Sequence, residues 1–83
     1  MNTRTIFVVV RGADLCSEVV AAYLTKAAAE ERALQIISDM RDMSDLDFNI
    51  DATSASKTID RWNDWWDTEF DMQIFVNSVP LFE

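Results

Sequence analysis

The first apolar run of the chain lies at residues 3–11, which read TRTIFVVVR. Five consecutive β-branched or aromatic residues predict a strand. Its side chains alternate between two faces, with Ile6, Val8 and Val10 on one and Phe7 and Val9 on the other. Because both faces are apolar, we expect a central strand that is covered on at least one side. Gly12, the one glycine of the chain, then predicts a turn.

Residues 14–43 fit two descriptions. One is a single long helix from Asp14, and the other is a strand over 17–24 followed by a helix that Thr25 caps. Val19, Val20 and Tyr23 are typical of a strand, whereas the alanine- and glutamate-rich residues 27–34 favour a helix. Five apolar residues recur there at helical spacing: Ala29, Ala33, Ile36, Ile37 and Met40. We favour the strand and helix, since a hairpin gives the first strand a partner.

Residues 44–52 read SDLDFNIDA, a strict alternation of apolar and polar positions that predicts a half-buried strand. A polar connection follows, in which Ser54 or Ser56 is a candidate helix cap. The next helix is predicted from an apolar stripe formed by Ile59, Trp62, Trp66 and Phe70. A last strand is expected over 72–79, with Ile74 and Val76 on one face and Pro80 ending it.

The predicted order is therefore β-β-α-β-α-β in a single domain over residues 1–83. It is an α+β fold in which two helices pack against a small, mostly antiparallel sheet.

The chain of 83 residues has 15 acidic and 7 basic residues, no histidine and a net charge of −8. Phosphates and anionic lipids repel such a surface, so we expect no direct nucleic acid and no membrane, but a basic protein partner. No apolar run is long enough for a membrane span, and the N-terminus is not typical of a signal peptide. We therefore expect a cytoplasmic protein.

The absence of histidine and the single cysteine, Cys16, exclude Cys–His and Ser–His–Asp nucleophiles and histidine zinc sites. We expect no cofactor, no enzymatic activity and a packed, unreactive thiol at Cys16, whose neighbours Asp14 and Glu18 are acidic. The alternating acids of residues 45–51 are similar to the start of a calcium loop. Ile50 stands where that loop needs glycine and Ser56 where it needs glutamate, which favours the strand.

Residues 39–71 hold ten acidic and three basic residues, which is nearly all of the net charge. Asp45, Asp47 and Asp51 fall on one face of the predicted third strand. Asp60, Asp64 and Asp67 recur at helical spacing and are expected on one face of the second helix. They are either solvated surfaces that keep the protein soluble or a recognition surface whose carboxylates stand where phosphates would. We expect Trp62 and Trp66 in the core and Trp65 either at its edge or in contact with a partner. The candidate partner-binding residues are Asp45, Asp47, Asp51, Asp60, Asp64, Asp67, Glu69 and Trp65.

The segments IFVVVRGAD, VVAAYLTKAAAEERA, RWNDWWDTEF and DMQIFVNSVPLFE together resemble small acidic αβ proteins of phages and mobile elements. Members of that group include anti-CRISPR and anti-restriction inhibitors that bind and block host enzymes. The resemblance implies a phage or mobile-element origin more than a particular target. Together with the acidic faces it favours an inhibitor of a basic nucleic-acid-handling defence enzyme, acting in the cytoplasm of an infected bacterium. The alternative is a homodimeric assembly module, joined through a sheet edge or the Trp-bearing helix, whose acids serve solubility alone.

Overall fold

The computed structural model describes residues 3–12, 18–51, 53–69 and 72–82. Its elements are β1 (Thr3–Arg11), β2 (Glu18–Tyr23), α1 (Lys26–Met43), α2 (Ala55–Trp65) and β3 (Ile74–Phe82). The α+β class is confirmed, but the observed order is β-β-α-α-β rather than β-β-α-β-α-β. Cys16, and with it the prediction for its thiol, lies outside the described residues.

The three strands form one antiparallel sheet in the order β2-β1-β3. The apolar β1 is its central strand, as predicted, and the strand-then-helix description of residues 18–43 is confirmed. The β1–β3 ladder is regular from Thr3–Phe82 to Arg11–Ile74. The β1–β2 ladder shifts between Val9 and Val10, because β2 there contains one extra residue.

Helix α1 begins after Thr25, whose side-chain oxygen accepts a hydrogen bond from the backbone N–H of Ala28 at 3.2 Å, which confirms the predicted cap. Its buried stripe consists of Ala29, Ala33 and Ile37. Two alanines in that stripe let the helix backbone approach the sheet closely, and the stripe packs in one core with Val9 of the central strand.

The predicted strand over residues 44–52 is wrong. Residues 46–51 form an extended connection that pairs with no described strand, although their side chains alternate as expected. Phe48 is buried and Leu46 and Ile50 are half-buried, whereas Asp47 is exposed. The backbone of this connection bonds to side chains instead of a ladder, with the Phe48 carbonyl accepting from Arg41 Nη1 at 3.2 Å.

The last helix and strand also differ from the prediction at their ends. Helix α2 stops at Trp65, and Ser54 occupies its N-cap position without a side-chain capping bond. Phe70 lies outside the described residues. Strand β3 does not end at Pro80 but continues to Phe82. A proline is tolerated there because β3 is an edge strand, where one side of the backbone has no ladder to maintain.

Both helices and the 46–51 connection pack on the same face of the sheet. The core there includes Val9 and Ile74 from the sheet, Ile37 from α1, and Ile59 and Trp62 from α2. The chain measures 47 × 31 × 18 Å, and its short dimension fits one sheet with one layer of helices. The fold therefore has a helical side and a second sheet face, called the open face, that no other described element covers.

Candidate partner-binding surface

The 46–51 connection is fastened alongside α2 by Phe48. The Phe48 ring meets Trp62 edge-on at 5.1 Å between centroids and Trp65 at 5.9 Å. The Arg61 guanidinium lies over the same ring, 5.5 Å from its centroid, and its Nη2 donates to the Asn49 carbonyl at 3.0 Å. Aromatic packing and one arginine therefore hold an irregular segment against a helix.

Thr58 fixes the other end of this segment to the first turn of α2. Its buried hydroxyl oxygen accepts from the Asp51 backbone N–H at 3.0 Å. The same hydroxyl is within hydrogen-bonding distance of two acceptors, the Asp51 carbonyl at 3.1 Å and the Ser54 carbonyl at 3.2 Å, and its one proton serves either. One hydroxyl thus satisfies backbone groups of both segments, which are otherwise without a ladder.

Two adjoining clefts run between the connection and α2. One, of about 460 Å³, is lined by Asn49, Ile50, Asp51, Lys57, Asp60 and Arg61. The other, of about 440 Å³, is lined by Asp47, Phe48, Asn49, Arg61, Asp64 and Trp65. Because the clefts share Asn49 and Arg61, they form one continuous surface, which we call the acidic groove.

The acidic groove brings together five of the eight predicted site residues: Asp47, Asp51, Asp60, Asp64 and Trp65. All four of its carboxylates are exposed. It also holds the cations Lys57 and Arg61, so its lining carries a net charge of −2. Arg61 is already engaged with Phe48 and Asn49, so the four exposed carboxylates of the groove outnumber its other cation, the exposed Lys57.

Asp51 is the carboxylate whose surroundings are most defined. The Thr53 hydroxyl donates to its Oδ1 at 2.6 Å and the Thr53 backbone N–H at 3.0 Å. These two bonds, with smaller contributions from the Arg61 and Lys57 charges, hold the pKa of Asp51 below its ordinary value of 3.8. Asp51 is therefore anionic at every physiological pH.

The three tryptophans occupy three different environments. Trp62 is fully buried and donates its indole N–H to the Met72 carbonyl at 2.7 Å, which confirms it as core. Trp66 is half-buried against that core. Trp65 is 51% exposed, with its inner side on Phe48 and the remainder open to the acidic groove.

The remaining predicted site residues lie at the margins. Asp45 occupies the turn after α1, with a left-handed φ of 53°. Asp67 and Glu69 follow the end of α2, so Asp67 does not share a helical face with Asp60 and Asp64 as predicted. All three are exposed, and none lines either cleft of the acidic groove.

Sequence reasoning missed the residues that build the groove. Arg61 and Thr58 act through hydrogen bonds to backbone atoms, which leave no spacing pattern in the sequence. The acids themselves were found from their density, but as two separate faces rather than the walls of one groove. Non-covalent recognition by carboxylates and an indole is what this arrangement offers chemically.

In the part of the chain that the structure describes, no group of three or more Asp, Glu, Cys or His side chains is placed to hold a metal ion. No helix in those same ranges has the length and apolar character that crossing a bilayer requires. Comparisons with protein-family models, curated proteins and solved structures find no match to this chain.

Proposed function

We propose that this protein is a phage-type inhibitor that binds a host nucleic-acid-handling defence enzyme, a CRISPR effector or a restriction nuclease. It acts in the cytoplasm of an infected bacterial host. The acidic groove and the acids at its margins occupy a basic surface of that enzyme. The observation that supports this most directly is that four exposed aspartates and the exposed Trp65 line one groove.

The backbone that carries the carboxylates of the acidic groove is held in a helix and a fastened segment, and the Asp51 carboxylate also accepts two hydrogen bonds from Thr53. Asp60 and Asp64 project from one helical face, and Asp47 and Asp51 come from a segment that Phe48 and Thr58 fasten to that helix. Pre-positioned anions bind a basic channel with less loss of conformational entropy than flexible ones do.

Trp65 adds an apolar contact to a surface that is otherwise charged. A half-exposed indole supported by a neighbouring ring is typical of the anchors that carry much of the energy of a protein interface. The acids would speed the encounter with a basic partner, and Trp65 would slow dissociation.

The test begins with capture of partners from bacterial lysate on the immobilised chain and their identification by mass spectrometry. Each captured enzyme is then assayed for cleavage of its DNA or RNA substrate in the presence of the chain. We expect inhibition that competing nucleic acid and rising salt both relieve, because carboxylates and phosphates share the site.

A charge-matched pair of variants locates the surface. Asp47→Asn, Asp60→Asn and Asp64→Asn together change the net charge from −8 to −5 within the groove. Glu18→Gln, Glu31→Gln and Asp39→Asn make the same change at exposed positions elsewhere. We expect the groove variant to bind at least about tenfold more weakly and the control to change less than about twofold. Equal losses in both variants, or none in either, would contradict the proposal.

The second candidate function is the homodimeric assembly module whose acids serve solubility. Of the surfaces first considered for it, the Trp-bearing helix α2 has its Trp62 fully enclosed in the chain's own core. The apolar open face of the sheet favours association of two copies by another route, which is independent of the acidic groove.

A further inference from the structure

The face of the sheet that points away from the helices is unusually apolar. Residues paired directly across an antiparallel ladder share a face, so the register assigns each side chain to one side. Phe7 and Val9 of β1 pack in the core, so the residues that alternate with them along the strand lie on the open face. Its apolar side chains include Ile6, Val8 and Val10 of β1, Val19 of β2, and Val79 and Leu81 of β3.

Several of these side chains are well exposed. Val19 is 63% and Val79 38% exposed, whereas on the central strand Val10 is 8% exposed and Ile6 and Val8 are half-buried. Among the described residues, seven large apolar side chains are exposed, and five of them lie on or directly beside β2 and β3. A contiguous apolar patch of this kind is typical of an interaction site rather than of a free surface.

The same face carries no acid among the residues that the structure describes. Its other positions are Arg4, Ala22, Phe75 and Asn77. The three strands together contain one acidic residue, Glu18, and its pairing with Arg11 places it on the helical side. Among the described residues, acidic charge is therefore segregated to the helical side and apolar area to the other face of the sheet.

We propose that the open sheet face binds a second copy of this chain, so that two sheets pack face to face around a two-fold axis. Two identical twisted sheets pack in the aligned manner of a β-sandwich, about 10 Å apart. Each copy then meets a face that is as apolar and as free of acids as its own.

Charge geometry favours this arrangement for two copies that each carry −8. Face-to-face packing turns both acidic helical sides outward, and each chain is 18 Å across its short dimension. Those surfaces then stand several Debye lengths apart at physiological salt, where the Debye length is about 8 Å. Contact through the helical sides would instead bring the acidic grooves together.

The outer edge of β3 is not available along its whole length for the alternative, edge-to-edge pairing. Asn63 occupies the outward N–H and C=O groups of Ile74, at 2.9 and 2.8 Å. Pro80 has the same orientation as Ile74, six residues along, and has no N–H to offer. The opposite edge, β2, has only six residues and is bulged.

The size of the face sets the expected affinity. Two strands of nine residues and one of six, about 4.8 Å apart and rising about 3.3 Å per residue, present roughly 400 Å² of projected area per copy. The total buried area is then at the low end for specific interfaces, below about 1,200 Å². We therefore expect a reversible dimer with a micromolar or weaker Kd.

Sedimentation velocity from about 10 μM to about 1 mM tests this directly. We expect the mass to rise from one chain to two, and added salt to leave the dimer intact or strengthen it. Val19→Lys and Val79→Lys place charges at exposed positions of the face and should keep the chain monomeric throughout. Met43→Lys, at the 88% exposed last residue of α1, is the matched control and should dimerise like the parent.

Circular dichroism confirms that each variant is folded, and NMR shifts on dilution identify the interface. Shifts confined to the open face support the proposal, whereas shifts confined to α2 or to a sheet edge overturn it. A chain that stays monomeric up to about 1 mM also overturns it and makes a different protein the candidate occupant. Variants of the acidic groove should leave the mass unchanged, so this proposal and the proposed function fail independently.

Discussion

The molecule has two regions that are held together in different ways. The frame, which consists of the three strands and α1, is joined by backbone ladders and by a close-packed alanine stripe. The groove region, residues 46–69, is joined to the frame largely by side chains that bond to backbone atoms. Those bonds come from Arg41, Trp62, Asn63 and Gln73.

The difference matters because a ladder distributes its stability over many equivalent bonds, whereas the groove region depends on a few individual side chains. Most backbone bonds in the frame survive any single substitution. In the groove region, one substitution removes the partner of a buried backbone group, and an unpaired buried group costs about 1–3 kcal/mol. We therefore expect the groove region to be the more sensitive of the two to conservative mutation.

Trp62→Ala should have the largest effect. Trp62 is fully buried between Phe48 and Trp66, so its removal leaves a large cavity and frees the Met72 carbonyl. We expect a loss of about 3–5 kcal/mol in the free energy of unfolding, measured by urea denaturation. That loss is comparable with the whole stability of a domain this small. Trp62→Phe keeps an aromatic ring but loses the indole N–H that donates to Met72, and gives a measurable intermediate loss if the variant with alanine does not fold. A loss below about 1 kcal/mol would show that the groove region packs without this anchor.

Asn63→Leu should have the next largest effect. The Asn63 amide makes both hydrogen bonds to Ile74 that a neighbouring strand would otherwise make. Leucine has nearly the same shape and can make neither, so two backbone groups of a fully buried residue lose their partners. We expect a loss of about 2 kcal/mol by the same denaturation measurement. Asn49→Leu is the control, since Asn49 is exposed and contributes its backbone carbonyl; an equal loss there would remove the distinction.

Thr53→Val should have the smallest effect and acts on the pKa of Asp51. The hydroxyl bond that contributes most to the lowered pKa is lost, so the pKa rises toward its ordinary value of 3.8. Because the pKa of Asp51 is lower in the folded than in the unfolded chain, ionised Asp51 stabilises the fold at pH values above the unfolded pKa. That stabilisation is lost as the pH falls through the folded pKa. As the pH falls below about 4, the free energy of unfolding of the variant should therefore decrease by less than that of the parent. An NMR titration of the Asp51 carboxyl carbon measures the shift. Thr53→Ser keeps the hydroxyl and should titrate like the parent, and a valine variant that did so too would contradict this account.

The frame was predictable from the sequence because apolar periodicity reports directly on which elements pack together. The central position of β1 follows from its two apolar faces, and the Thr25 cap from the alanine-rich run after it. The 46–51 connection was not predictable in the same way. Its alternation reports correctly that Phe48 is buried, but says nothing about whether the backbone pairs with a strand or with arginine side chains.

The candidate site likewise contains residues that the sequence predicts and residues that it does not. Acid density predicted the carboxylates, and Trp65 was singled out because it falls beside the helical stripe. The end of α2 at Trp65 separates Asp67 from the helical face on which it was expected. Thr58 and Arg61, which bring the two acidic segments together, could not be recognised from spacing, since their roles depend on backbone atoms distant in the sequence.

The central position of β1 also bears on how this protein would aggregate. The run of five β-branched or aromatic residues in β1, with no charge and no proline among them, has the composition of segments that form cross-β fibrils. In the folded chain β3 pairs with the whole of that run, and β2 pairs with it from Phe7 onward. The hazard therefore arises only when a flanking strand detaches. Because β2 is shorter than β3 and bulged, it should detach from β1 more readily. Conditions that detach β2 would therefore initiate fibril growth before the rest of the fold is lost.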